Sequence, residues 1–303
     1  MCRKPDVSAA FAVSTVQPQS PDEKLSIHAS LNAGYGKSSD LPVLGIPKEG
    51  TVDYRVMTLQ FRYQLAEKDT FVVQLLNRRL GSSPRAGVLN DLTSQLAFWQ
   101  HRSNGITTMV GRTPLPRGLL NEVRYIGTVL PFYRQPFEIS GDAFDALDGV
   151  LVSTRHELSK GFSVEGHEQV GARENRSVRA TNTELTVRSS RAHDMSGAQG
   201  YLDAPGGGLL GVFANKYERR TPTQTGFRNI VAYSGQIDRS WGTRLGEHIR
   251  RTQRVFFTNA QLNTDIPSVR ETGAAINVFT AVGAALKFEH RWRKGYTYDA
   301  FVH

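Results

Sequence analysis

Charges of both signs crowd one proline-broken stretch of this chain. Between Gly111 and Glu138, Arg112, Arg117, Arg124 and Arg134 stand against Glu122 and Glu138, with Asp142 and Asp145 just beyond. Opposed arginines and carboxylates held across a gap set a transverse field, which sorts ions and polar solutes that pass between them. Bond-making chemistry has little to build on. His156-Glu157 and His167-Glu168 lack a second His four residues after the first, so there is no helical zinc site of the H-E-x-x-H kind. The chain has neither a G-x-S-x-G nucleophile elbow nor a G-x-x-x-x-G-K-S/T phosphate loop, and Gly206-Gly207-Gly208 lacks the strand-then-helix setting of a phosphate cradle. The single cysteine, Cys2, allows no disulfide or thiolate cluster within the chain. The expectation is a protein with no catalytic residue, metal site or cofactor.

The 303 residues carry a formal charge of +9 and a pI near 9.8. Arginine outnumbers lysine 28 to 9, favouring the fork-shaped cation that pairs with carboxylates and phosphates. These arginines are spread singly, with no basic tail or recognition helix, so nucleic acid is not an expected partner. No window reaches the run of about 18 apolar residues that a membrane helix needs. A barrel stays open, because its strands alternate and look polar on average.

What must position the charges is a series of period-two segments. Thr58 to Leu65 alternates strictly: Leu59, Phe61, Tyr63 and Leu65 take one face, and Thr58, Gln60, Arg62 and Gln64 the other. Leu286 to Trp292 does the same, with Leu286, Phe288, His290 and Trp292 opposed by Lys287, Glu289 and Arg291. About a dozen such strands are expected, and Thr243 to Arg254 is the one stretch with a helical alternative. Short connections alternate with long ones, as in barrels with short turns at one rim and long loops at the other. Trp99, Trp241, Trp292, Tyr35, Tyr63 and Tyr217 fall near strand ends, as interfacial belts require. Alternation alone also suits a soluble sandwich.

Within the stretch 113–147, Pro114, Pro116, Pro131 and Pro136 forbid a regular ladder, while Leu, Ile, Val, Tyr and Phe call for cover. A long irregular segment of this kind is a lid, a binding loop or an inserted plug. The run Met109-Val110-Gly111-Arg112-Thr113-Pro114-Leu115-Pro116, then Asn121 to Gly127, then Leu130-Pro131-Phe132-Tyr133-Arg134-Gln135-Pro136-Phe137-Glu138, with Asp148-Gly149 opening the next strand, resembles the porin-like outer-membrane proteins of Gram-negative bacteria. The resemblance implies an all-β fold, an antiparallel transmembrane β-barrel spanning 25–303, with 113–147 folded inward as a constriction.

It further implies passive diffusion of small hydrophilic solutes through the outer membrane, lipid as the surrounding partner, and room for a homo-oligomer such as a trimer. Arg112, Arg117, Glu122, Arg124, Arg134 and Glu138 would form the constriction. Gln60, Arg62, Gln64, Lys287, Glu289 and Arg291 would line the pore, and Arg188 and Arg244 add to a positive bias that predicts mild anion preference. Residues 1–24 read as a residual export signal and lead-in, with Ser8 to Ala12 as its small-x-small ending. The last residues, Tyr298 to His303, lack a full aromatic-ended strand, so truncation at both ends and an incomplete barrel are expected. The competing expectation is a soluble or surface-attached all-β module that binds acidic polysaccharide through its arginines.

Overall fold

The computed structural model describes residues 6–16, 24–37, 46–80, 92–118, 121, 125, 145–180, 185–221, 224–239, 242–257, 260–265, 270–281 and 284–294. They form fifteen β-strands and one short 3-10 turn, Ser159–Gly161. The strands are β1 (Asp6–Val16), β2 (Leu25–Lys37), β3 (Thr51–Ala66), β4 (Asp69–Leu80), β5 (Thr93–Ser103), β6 (Ile106–Pro114), β7 (Ala146–Glu157) and β8 (Ser163–Ala180). They continue as β9 (Leu185–Ala204), β10 (Gly208–Thr221), β11 (Gln224–Arg239), β12 (Gly242–Phe257), β13 (Ala260–Asp265), β14 (Arg270–Ala281) and β15 (Ala284–Lys294). The stretch with a helical alternative is therefore strand, inside β12. The stretch read as an export signal lies within β1, which pairs with β2 on one side and β15 on the other.

All fifteen belong to one antiparallel sheet, ordered β13 down to β1, then β15 and β14. Fifteen alternating strands would send β15 the same way as β1, yet these two pair antiparallel. One reversal is thus missing. β13 pairs with β12 and β14 with β15, so β13 and β14 run in the same direction and are the sheet's two edges. Five Cα steps separate Asp265 from Arg270, which chain geometry limits to about 18 Å. A flat sheet of this width would hold its edges about 67 Å apart, at roughly 4.8 Å per strand spacing. The sheet must therefore curl round until its edges nearly meet. No β13–β14 pairing occurs among the described residues.

Burial is reversed from that of a water-soluble protein. On β2, Leu25, Ile27, Leu31 and Tyr35 are exposed while Ser26, Ser30 and Asn32 are buried; Leu31 is 38% exposed and Asn32 only 2%. On β15 the contrast is Phe288 at 52% and Lys287 at 1%. Tyr63 and Leu65 on β3, Phe71 on β4, Trp99 on β5 and Val152 on β7 all point outward. Inside, Gln60 Nε2 donates to Gln74 Oε1 at 2.7 Å, and Gln74 Nε2 bonds Gln95 on β5. A curled sheet that exposes hydrocarbon outside and hydrogen-bonds its polar groups inside is at home in lipid, where backbone groups must find their partners along the strand ladder. The chain folds as a transmembrane β-barrel of the outer-membrane type. Its described ladder is left unclosed between β13 and β14.

Turns support the same reading. Asn104 (φ 52°) and Gly105 (φ 77°) make a two-residue hairpin turn between the paired Ser103 and Ile106, with positive φ at both centres. The connections 67–68, 104–105, 158–162 and 205–207 fall at one end of the barrel. The long connections 38–50, 81–92 and 115–145 all fall at the other. At the short-turn end, Tyr63, Phe71 and Trp99 form a lateral outward row, and Trp99 Nε1 donates to Asp69 Oδ1 at 3.0 Å. An aromatic girdle at a bilayer boundary has this form. Tyr217, expected in such a belt, instead faces inward and is buried.

Candidate functional site

β6 ends at Pro114, and the chain leaves the sheet to rejoin it at Ala146, so the inserted segment runs 115–145. Its neck is clamped: Leu115 N–H donates to the Asp145 carbonyl at 3.1 Å, and Asn121 Nδ2 donates to the carbonyls of Leu115 at 2.6 Å and Asp145 at 3.2 Å. From the neck it reaches two walls. The Gly118 carbonyl accepts from Tyr201 Oη at 2.7 Å and Gln199 Nε2 at 3.1 Å on β9. The Tyr125 carbonyl accepts from Asn32 Nδ2 at 3.0 Å and Ser30 Oγ at 3.2 Å on β2.

β2 and β9 are seven strands apart in the sheet, about 34 Å if it were flat. Gly118 and Tyr125 are seven Cα steps apart, about 25 Å at most. The curl required by the β13–β14 link brings both walls within the segment's reach. With β13 and β14 counted as one position, the two walls are also seven strands apart the other way round. The segment therefore crosses the lumen.

Charge follows the same path. Tyr125 Oη donates to Asp145 Oδ2 at 2.6 Å and accepts from Arg78 Nη1 at 3.2 Å, and the Arg78 guanidinium carbon sits 6.0 Å from the Tyr125 ring centroid. Arg173 on β8 lies 3.9 Å from Asp145 and 3.6 Å from Asp148. Arg112 grips Asp148 with two bonds, Nε to Oδ1 at 2.6 Å and Nη2 to Oδ2 at 3.2 Å, and donates to the Ser94 carbonyl at 3.0 Å. At the short-turn end a second cluster faces inward. Arg155 there meets Glu157 at 3.1 Å and both Glu165 and Asp203 at 3.5 Å. His167 Nε2 stands 3.0 Å from Glu165 Oε1, an ion-pair distance without hydrogen-bond alignment.

The interior is not polar throughout. Leu115 of the segment packs with Leu147, Ala192, Met195, Phe213, Tyr217, Ile230 and Ala232, a dry cluster on β7 and β9 to β11. Phe213 is 1% exposed. The segment's own apolar residues need cover, and the inner faces of β9 to β11 provide it.

Of the residues singled out from sequence, Arg112 sits at the segment's root and is engaged by Asp148, while Arg117 is buried within the segment. Glu122, Arg124, Arg134 and Glu138 lie outside the described residues. Gln60, Arg62, Gln64 and Lys287 are on the inward face, Gln64 accepting from Thr70 Oγ1 at 3.3 Å. Glu289 and Arg291 follow Lys287 on β15, and their side chains, like those of Arg188 and Arg244, lie outside the described set. Sequence reasoning missed Ser30, Asn32, Arg78, Tyr125, Arg173, Gln199 and Tyr201. The alternation of Ser26, His28, Ser30 and Asn32 against Leu25, Ile27 and Leu31 would have found the first two.

No family model and no curated protein matches the chain. Among solved structures it is similar to a loop L8 deletion mutant of OmpT, an outer membrane protein of Vibrio cholerae, at 10% identity over 96% of this chain and 98% of that one, with a TM-score of 0.40. It is also similar to Salmonella typhi OmpF in complex with daunomycin, at 12% identity over 96% and 98% with a TM-score of 0.31. A mutant of the Rh. blastica porin gives 11% identity over 96% and 99%, with a TM-score of 0.28. At such values no residue role carries over.

Proposed function

We propose that the protein is an outer-membrane channel through which small hydrophilic solutes diffuse passively, narrowed by the inserted segment 115–145. One observation carries the reading: a segment bonded to inner walls on opposite sides, in a sheet that turns large apolar side chains outward and lines much of its inside with polar ones. Nothing in this arrangement needs a bond to be made or broken. Selectivity then rests on charge at the narrowing. Arg62, Arg78, Arg173 and Lys287 face inward, and among the described residues near the segment the carboxylates that answer them are Asp145 and Asp148, the latter shared between Arg173 and Arg112. The proposal includes mild anion preference, with Arg117 and the remaining charges of the segment at the constriction. Outer-membrane lipid would surround the wall.

The alternative, a soluble module that binds acidic polysaccharide, needs a second layer to cover the apolar face. Among the described residues every strand belongs to one sheet. Reconstitution in planar bilayers under a KCl gradient tests the proposal. The expected result is stepwise ohmic conductance with a reversal potential of the sign set by chloride. A clear cation preference rejects the charge assignment, and no conductance rejects the channel.

A further inference from the structure

The short-turn mouth carries charges that the narrowing does not use. On β7, β8 and β9 three carboxylates converge on one guanidinium: Arg155 lies 3.1 Å from Glu157 and 3.5 Å from both Glu165 and Asp203. Three negative charges around one positive can hold a second cation, and side chains 35% to 71% exposed leave the group open to a solute. Behind it His167 is 5% exposed, has no hydrogen bond at either ring nitrogen and turns Nε2 to within 3.0 Å of Glu165 Oε1. Buried polar capacity of this kind is ordinarily taken up by a partner. Cations stand on nearby strands. Arg102 on β5 follows the buried Gln100 by two positions and so faces inward, as Arg62 does beside the outward Tyr63 on β3. Neither has an ion pair among the described residues. Register sets Arg102, Thr107, Ser153 and His167 in one lateral row, with Arg155 and Glu165 as the next inward pair towards the rim. The row crosses four neighbouring strands, about 14 Å from first to last.

We infer that the short-turn mouth is a second sorting station, away from the inserted segment, and that it seats small zwitterions of the amino-acid and short-peptide class. The ammonium or guanidinium end goes to Glu157, Glu165 and Asp203, where Arg155 already shows that the three carboxylates accept a fork-shaped cation. The carboxylate end goes to Arg102, with Arg62 adding to the same side. A tripeptide spans about 10 Å when extended, which suits the distance along the wall. Arg62, Arg102 and Arg155 balance the three carboxylates, so the mouth sorts by the placement of its charges and leaves net anion preference to the narrowing. The inference deepens the channel reading above and rests on it.

The test uses the full chain in planar bilayers and one backbone with its ends changed: triglycine, N-acetyl-triglycine, triglycine amide and N-acetyl-triglycine amide. Triglycine should reduce the KCl current at a concentration ten-fold or more below that of the doubly capped peptide, and below that of either singly capped one. Glu165→Gln/Asp203→Asn and Arg102→Gln should each remove the advantage of triglycine, and Arg102→Lys should keep part of it. Should a variant fail to fold, the wild type alone still decides: raising KCl from about 0.1 M to about 1 M shortens the screening length from about 10 Å to about 3 Å and should erase the difference between the peptides. A wild type that conducts but is reduced equally by all four peptides, or as strongly by a singly capped peptide as by triglycine, overturns the inference alone. So do an advantage of triglycine that survives both neutralising variants and one that persists at high salt. A wild type that does not conduct overturns the channel reading beneath it.

Discussion

Tyr125 does more than fill space. Its carbonyl takes two donors from β2, its hydroxyl joins Arg78 to Asp145, and its ring lies under the Arg78 guanidinium. Asp145 is buried, so removing the hydroxyl takes away a short bond where water does not readily replace it. Losing a partner of a buried polar group costs about 1–3 kcal/mol. Tyr125→Phe should lower the unfolding free energy in urea from lipid vesicles by that order, and should raise single-channel conductance or its noise as the segment loosens. Unchanged stability together with unchanged conductance would mean that the hydroxyl does not hold the segment.

At the scale of elements, close strand approach is a second constraint. Gly111, Gly149 and Gly171 form a lateral row on β6, β7 and β8, and a Cβ at Gly149 would overlap the Val170 carbonyl oxygen. Backbone cannot move aside as a flexible side chain can. Gly149→Val should abolish the heat-shifted folded band in detergent, while Thr154→Val, higher on the same strand, should keep it. An intact band for Gly149→Val would show that β7 and β8 can separate there. Much of this framework was legible in the sequence. Thr58 to Leu65 and Leu286 to Trp292 gave both their strands and their faces, because strict alternation leaves one choice of side. The remainder was hidden for physical reasons. β9 runs on beyond Ser189 to Ala204 through glycines and polar residues that carry no alternation to mark a strand, since its order comes from pairing on both edges. Tyr125 and Asp145 meet only when the chain is folded, so no spacing announces their bond.

For the whole molecule, one property orders the rest: which side of the curled sheet meets hydrocarbon. Pairing of β1 with β15, the edges brought near each other by the chain, and the segment bonded to β2 and β9 all require an enclosed interior. The alternation of burial then assigns apolar side chains to the outside. Adjacent positions on one strand test this most directly. On a Cys2→Ser background, Leu31→Cys and Asn32→Cys would each carry a fluorophore, with the protein folded into vesicles whose acyl chains are brominated. Strong quenching at position 31 and little at position 32 is the predicted result; equal quenching, or the reverse order, would contradict the account.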